Sequence, residues 1–210
     1  MYRGLNLRSD DPEAIARASA FMVAHADRGV RARPEAEVRR AMDLGQAIVV
    51  EKEENQEICA CSLIYQYPVK HSGTLFSEIG TMRVVTNGLG LQVFLATVHL
   101  MQLELEDFYY PSRRIFAVVK QGTPSERNLV DKVGMTNWSP SPDLVILRDD
   151  AGVPFDLTKR TITAEVNSVK EAFKSLHNWH IKGNRFQTPK GEVEICLEMG
   201  WFNPALLVQR

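Results

Sequence analysis

The chain has 210 residues, of which 44% are hydrophobic and 24% charged. That make-up suits one full globular domain with a modest extension and leaves too little chain for two large ones. A formal net charge of −1 gives no electrostatic argument for nucleic acid or an anionic membrane as partner. No apolar run is long enough to span a bilayer, and the start, MYRGLNLRSDDPEA, lacks the basic-then-apolar pattern of a secretion signal. The three cysteines offer neither an even count nor C-x-x-C spacing. A reduced, cytoplasmic protein with no metal and no disulfide is therefore expected.

After an opening strand, the first helix is announced by Asp11 as N-cap and Pro12 at the first helical position, with Glu13 at the positive end of the dipole. Ile15, Ala18, Met22 and His25 form its apolar stripe, and Gly29 is placed to close it. A second helix repeats the grammar between Pro34 and Gly45. AIVVEKE and EICACSLIYQY then read as a hairpin about a polar turn. In its second arm Cys59, Cys61, Leu63, Tyr65 and Tyr67 alternate with Ala60, Ser62, Ile64 and Gln66, and Pro68 is expected to stop the strand. LFSEIGTMRVV is a third strand. Further on, RRIFAVVK reads as a buried strand and TPSERNLVDKVG as a helix with a Thr123–Glu126 capping box, ended by Gly134. DLVILRD reads as one more strand. Residues 149–210 read as a strand, a helix and a hairpin. Val193, Ile195, Leu197 and Met199 would share one face of the last strand, a face to be covered by the same chain or by a second copy in a homodimer.

The segment MRVVTNGLGLQVFLATVHLM, from Met82 to Met101, carries the chemistry. A β-branched run breaks at Asn-Gly-Leu-Gly and becomes a helix apolar on most of its circumference, which must lie inside the domain. Gly88 and Gly90 remove the Cβ atoms that would hold a ligand off the backbone. The helix that follows offers unpaired amides at its positive end, a ready site for phosphate. The spacing is neither G-x-G-x-x-G nor G-x-x-x-x-G-K-[ST]. On these residues alone, a phosphate-holding loop and a plain strand-to-helix turn stand side by side.

With two helices and a three-stranded meander before it, this arrangement resembles the GCN5-related N-acetyltransferase (GNAT) superfamily over roughly residues 1–148. The family's turn reads [Q/R]-x-x-G-x-[G/A], and its amides hold the pyrophosphate of acetyl-CoA. The matching positions are Asn87, Gly88, Leu89, Gly90, Leu91 and Gln92, with Asn87 in place of Gln or Arg and Gln92 in place of a small residue. The family's second motif is matched by TPSERNLVDKVGM at Lys132 and Gly134, while Thr123, Val130 and Met135 replace its Asn, Tyr and Phe.

The resemblance implies an α/β (α+β) fold built on a mixed, mostly antiparallel central sheet flanked by helices. It implies acetyl-CoA as acyl donor, a small amine as acceptor, and Val84 and Val85 facing the pantetheine arm through their backbone. It makes residues 1–148 an acetyltransferase-like domain and 149–210 an α+β extension. Glu78, on the strand before the turn, takes the family's place for the base that deprotonates the amine. Phe76 and Met82, read as its neighbours on one strand face, would desolvate it and favour that role. Its bland alternative is a solvated strand-edge carboxylate. Val130 cannot donate a proton to the departing thiolate, and Tyr109 and Tyr110 are the nearest phenols in sequence. The alternative function is a non-catalytic acetyltransferase-like module that binds CoA or a protein partner.

The remaining candidates read as structural. His177 and His180 are spaced for one helix face but lack further ligands, and His25 and His99 fall on apolar faces. RGVRARPEAEVRR carries five arginines; in the family this connection borders the acceptor pocket, so the resemblance implies that they would draw an anionic acceptor, and their own pattern reads as a solvated helix face. Trp138, Trp201 and Phe202 would wall a pocket or pack the core.

Overall fold

The computed structural model describes residues 2–7, 10–26, 32–52, 54–69, 73–86, 90, 93, 94, 97, 98, 112–139, 159–165, 168, 169, 171, 172, 180–182, 185–188 and 191–196. In chain order the first elements are β1 (Tyr2–Asn6), α1 (Pro12–Ala24), α2 (Glu35–Leu44), β2 (Gly45–Lys52), β3 (Ile58–Val69) and β4 (Thr74–Val84). Helix α3 follows, described at Gly90, Val93, Phe94, Thr97 and Val98. Then come β5 (Ser112–Lys120), α4 (Pro124–Arg127) with a π-helical turn at Asn128–Lys132, β6 (Thr136–Asn137) and β7 (Lys159–Glu165). Helical residues at 168, 169, 171 and 172 lead to β8 (His180–Lys182), β9 (Arg185–Thr188) and β10 (Gly191–Cys196).

The strands form one mixed sheet in the order β6-β7-β5-β4-β3-β2-β1-β10-β9-β8. All neighbours are antiparallel except β4 with β5 and β1 with β10. A parallel pair cannot be joined by a tight hairpin, so residues 85–111, with α3, make the crossover.

Helix α1 starts where its cap predicts: the Asp11 carboxylate accepts the Ala14 N–H at 2.9 Å. Its buried face is Ile15, Ala18, Ser19, Phe21 and Met22. His25 is half-buried just past its end, its ring 4.8 Å from that of Phe21. The position expected to close α1, Gly29, lies outside the described residues. Gly45 does not cap α2 but is the first residue of β2, so helix runs directly into strand.

Helices α1 and α2 bury their apolar faces against one side of the sheet, where Ile15, Met22, Val38, Cys61 and Leu63 share a cluster. On the other side Phe94 and Val98 of α3 pack on Ile48, Ile64, Ile79 and Ile115. Phe94 is fully buried, and its truncation to Ala would cost about 3–5 kcal/mol. This is a helix–sheet–helix sandwich.

Three local expectations are corrected. Strand β3 does not stop at Pro68 but runs to Val69. The last β2 partner on β3 is Tyr65, so beyond it, among the described residues, β3 has only β4 beside it and Pro68 stands on an edge, where proline is tolerated. His180 opens β8 rather than sharing a helix face with His177, which lies outside the described residues. Cys59 and Cys61 are both buried but in different clusters, Cys59 with Val50 and Val93 and Cys61 with the α1–α2 layer. The segment DLVILRD and residues His99, Trp201 and Phe202 lie outside the described residues.

Candidate active site

The site is created by two strands that part. Strand β4 pairs in parallel with β5 only from Thr74↔Ser112 to Glu78↔Phe116. Beyond that point β5 continues to Lys120 against β7, while β4 continues to Val84 against β3. One edge of β4 from Ile79 to Val84 therefore has no strand partner among the described residues. Glu78 occupies the last paired position, at the mouth of the opening.

The parting coincides with a β-bulge. Ile64 is paired with Ile79 and Leu63 with Thr81, which leaves Gly80 as the extra residue on β4. Glycine is required there by close approach, because a Cβ would lie 2.5 Å from Cε2 of the Tyr65 ring. The bulge also changes faces, since each extra residue inverts the alternation that follows it. Phe76 packs with Tyr67 and Phe116 on the α1–α2 side, whereas Met82 packs with the clusters on the α3 side. The expectation that Phe76 and Met82 flank Glu78 on one face is thus half right. Phe76 does; Met82 is turned away by the bulge.

Glu78 is buried, not a solvated edge carboxylate. Its Oε2 accepts the Tyr67 hydroxyl at 3.3 Å. The wall around it is aromatic. Tyr67, Phe76 and Phe116 are buried together, and Trp138, just past β6, stacks on Phe76 with ring centroids 5.1 Å apart and planes 14° apart. Burial pushes the Tyr65 phenol above its ordinary value; Arg33 opposes this while the charges of Glu37 and Glu78 add to it. The Tyr65 hydroxyl thus stands within electrostatic reach of Glu78 on one side and of Arg33 and Glu37 on the other.

Arg33 is held through both its terminal nitrogens, while its Nε is buried without a hydrogen-bond partner among the described residues. It forms an ion pair with Glu37, and its Nη2 donates to the Thr81 hydroxyl at 2.5 Å. That hydroxyl donates in turn to the Gly80 carbonyl at 2.7 Å, and the Ser19 hydroxyl donates to the Arg33 carbonyl at 3.0 Å. Arg39 pairs with Glu35 on the exposed helix face at 3.8 Å. Arg33 and Arg39 are thus paired within the chain, Arg40 is exposed and lowers the Tyr65 phenol along with Arg33, and Arg28 and Arg31 lie outside the described residues.

Of the expected cofactor-binding residues, Val84, Val85 and Gly90 are described; Asn87, Gly88, Leu89, Leu91 and Gln92 are not. The Val85 N–H donates to the Cys59 carbonyl at 3.0 Å and so is already used. Successive strand amides face opposite ways, which turns the Val84 N–H toward the unpartnered edge. Gly90 is helical, with its φ outside the left-handed region. A Cβ built on it would meet nothing within 4 Å. What Gly90 provides is open space.

On the α3 side of the sheet, Val130 stands in the π-helical turn, half-buried beside the same cluster as Met82. The helix that leads into this turn, α4, is capped as expected: the Thr123 hydroxyl accepts the Glu126 N–H at 3.3 Å. The Glu126 carboxylate reaches back to the Gly122 N–H at 2.6 Å, one residue earlier than a capping box requires. Gly134 closes the segment at φ +78°, a conformation that favours glycine. Tyr109 and Tyr110 lie outside the described residues. Among the described residues no group of His, Cys, Asp and Glu is placed to hold a metal ion, and no helix is long and apolar enough to cross a membrane.

Sequence reasoning missed Tyr65, Tyr67 and Phe116 as neighbours of Glu78, and Trp138 as the ring stacked on Phe76. The alternation along β3 put both tyrosines on one face. The register that aligns Tyr65 with Glu78 and Tyr67 with Phe76 has no local signal.

No family model matches the sequence, and no sequence similarity to a curated protein is found. Solved structures are similar in fold. A chain of the NatC complex bound to Gag peptide and CoA matches with a TM-score of 0.52 at 13% identity, over 77% of this chain and 95% of that one. An acetyltransferase of the GNAT family from Streptococcus pneumoniae matches with a TM-score of 0.51 at 12% identity, over 79% and 99%. A bacterial toxin matches with a TM-score of 0.52 at 12% identity, over 87% and 99%. The chain has the fold of the GCN5-related N-acetyltransferases.

Proposed function

We propose that the protein is an acyl-CoA-dependent N-acyltransferase that moves an acetyl group from acetyl-CoA to a small amine. The observation that carries this reading is the opening of β4 from β5 at a buried carboxylate. The unpartnered β4 edge fits an amide-bearing arm laid alongside it as an extra strand would be. The space around Gly90 fits the close approach of a phosphate. A bound acyl-CoA supplies an activated thioester carbonyl.

The chain's own residues do the rest. The β4 edge holds the donor in line, and the site's main contribution is proximity: two reactants fixed together gain orders of magnitude over free encounter. An amine at neutral pH is mostly an ammonium and cannot attack until it loses a proton. Glu78 accepts that proton, directly or through a water, and Tyr67 steadies the carboxylate through its hydrogen bond. The amine nitrogen forms the new C–N bond as the C–S bond breaks, and the thiolate leaves. Val130 has no proton to give. A thiol with a pKa of about 8.5 is a fair leaving group, so solvent can protonate it.

That same Val130 favours a second reading, in which the protein keeps the fold as a non-catalytic module that binds CoA or a protein partner. A thiol-release assay with acetyl-CoA and a panel of primary amines separates the two. The transferase releases CoA only when an amine is present. The module releases none from the wild type or from Val130→Tyr.

A further inference from the structure

Resting on the reading of Glu78 as the base, we infer that Arg33 is a positioning residue of this site. It latches the α1–α2 connection onto the β4 bulge, and so holds the register that keeps Glu78 on the α1–α2 face of the sheet.

Spacing along β4 is the first observation. Glu78 and Thr81 are three residues apart, and in a regular strand an odd spacing puts two side chains on opposite faces. Here they share one. Glu78 stands opposite Tyr65 and Thr81 opposite Leu63, and both Tyr65 and Leu63 pack with the α1–α2 layer. The extra residue between them, Gly80, makes the difference. Were the bulge lost, or moved to the other side of Glu78, either Glu78 or Thr81 would turn to the α3 face. Whatever holds Thr81 on this face with the bulge in place therefore holds Glu78 there as well.

The second observation is the grip on Thr81. Nη2 of Arg33 donates to the Thr81 hydroxyl at 2.5 Å, and Nη1 pairs with Glu37 in the first turn of α2. The Thr81 hydroxyl donates to the Gly80 carbonyl at 2.7 Å, so the chain of bonds ends on the bulged residue itself. At the other end, the Arg33 carbonyl accepts the hydroxyl of Ser19, a buried residue of α1. One residue thus joins α1, α2 and β4.

The third is shielding. The Arg33 and Glu37 side chains are 15% and 30% exposed, and Thr81 is buried. Hydrogen bonds from a charged donor are stronger than neutral ones, and less so when water competes. A guanidinium reaches the carboxylate and the hydroxyl together with its planar fork. An ammonium is a single point of charge and cannot hold both in that geometry. Arg39, which pairs with Glu35 on the exposed helix face at 3.8 Å, has no such tie to the sheet and serves as the control.

The test compares the full-length wild type with Arg33→Lys, Thr81→Val, Thr81→Ser, the Arg33→Lys/Thr81→Val double variant and Arg39→Lys. Turnover is measured with acetyl-CoA and a panel of primary amines that includes butylamine and spermidine, well below each melting temperature. Acetyl-CoA affinity and amide hydrogen exchange are measured on the same proteins. Arg33→Lys and Thr81→Val should each lower kcat by about 10- to 100-fold with acetyl-CoA affinity unchanged. The double variant should be no worse than the worse single one, because both break the same latch. Thr81→Ser keeps the hydroxyl and should keep most of the turnover, and Arg39→Lys all of it. A tie that only supports the fold would lower the melting temperature and leave kcat of the folded protein as in wild type; that result overturns the inference. Additive losses in the double variant overturn it too, as does an equal loss in Arg39→Lys. Should Thr81→Val fail to fold, Arg33→Lys and Thr81→Ser decide. Hydrogen exchange separates this inference from the reading beneath it. If wild type acetylates no amine, the acyl-transfer reading falls and exchange over residues 79–82 decides the latch. Faster exchange there in Arg33→Lys and Thr81→Val supports it, and unchanged exchange overturns it. An active wild type whose kcat ignores both variants removes this inference alone.

Discussion

Replacing Gly90 by Val tests the glycine turn without disturbing the fold. The backbone at Gly90 is helical, and a Cβ there would meet no protein atom within 4 Å. Valine is no worse than glycine in a helix and gains a few tenths of a kcal/mol over it. Thermal unfolding of Gly90→Val should therefore stay within a few degrees of wild type, on the scale of about 4 °C per kcal/mol. Ligand binding should behave otherwise. If a pyrophosphate rests on the amides of this turn, an added isopropyl group pushes it off them. Hydrogen bonds to a charged group are worth about 1.5–3 kcal/mol each, so losing two costs about 3–6 kcal/mol. That is about 10²- to 10⁴-fold in the affinity for acetyl-CoA. Calorimetric titration of both proteins measures it. If wild type binds acetyl-CoA and Gly90→Val binds it equally well, the turn is not the cradle. If the variant melts far below wild type, the space around Gly90 is not open.

Three further outcomes follow from particular contacts. Glu78→Gln should lower turnover by about 10²- to 10⁴-fold with little change in acetyl-CoA affinity, and the pH–rate profile should lose its acidic limb; unchanged turnover would move the base elsewhere. Gly80→Ala should destabilise by about 1–3 kcal/mol, because the new methyl would start 2.5 Å from the Tyr65 ring, and a denaturant midpoint at or above wild type would contradict the bulge packing. Burial pushes the Cys59 thiol up to about 11 and the Cys61 thiol up to about 12. Groups raised in the folded state keep their contribution below the unfolded thiol pKa of about 8.5 and lose it as pH climbs through the folded values. Unfolding free energy should therefore fall from about pH 9 upward, and Cys59→Ala/Cys61→Ala should flatten that fall; an identical alkaline slope in the double variant would refute it.

The parts legible in the sequence were those written locally. Asp11 and Thr123 mark helix starts by side chains that accept backbone amides three residues on, and Pro12 by its fixed φ and missing N–H, and such signals survive any tertiary context. The alternation in EICACSLIYQY gave β3 in the same way. The parts that were not legible depend on register. Nothing local says that Gly80 is an extra residue, yet that single bulge decides that Phe76 shares a face with Glu78 and Met82 does not. The aromatic wall is assembled from β3, β4, β5 and the residue after a two-residue strand, β6, too short to leave a periodic signal. Pro68 misled because the rule against proline in strands holds for central strands. Only the sheet order shows that β3 is an edge at that point. The resemblance was legible through two degenerate motifs and the order of elements, and the fold bears it out.

The central claim is that the opening between β4 and β5 holds an acyl donor against an amine beside Glu78. The most direct measurement is mass spectrometry of the products after incubating the wild-type protein with acetyl-CoA and a primary amine. The account predicts one acetylated amine for each CoA released, with both falling together in Glu78→Gln. Saturable binding of acetyl-CoA with no acetylated amine across the panel would contradict it and make the chain a binding module.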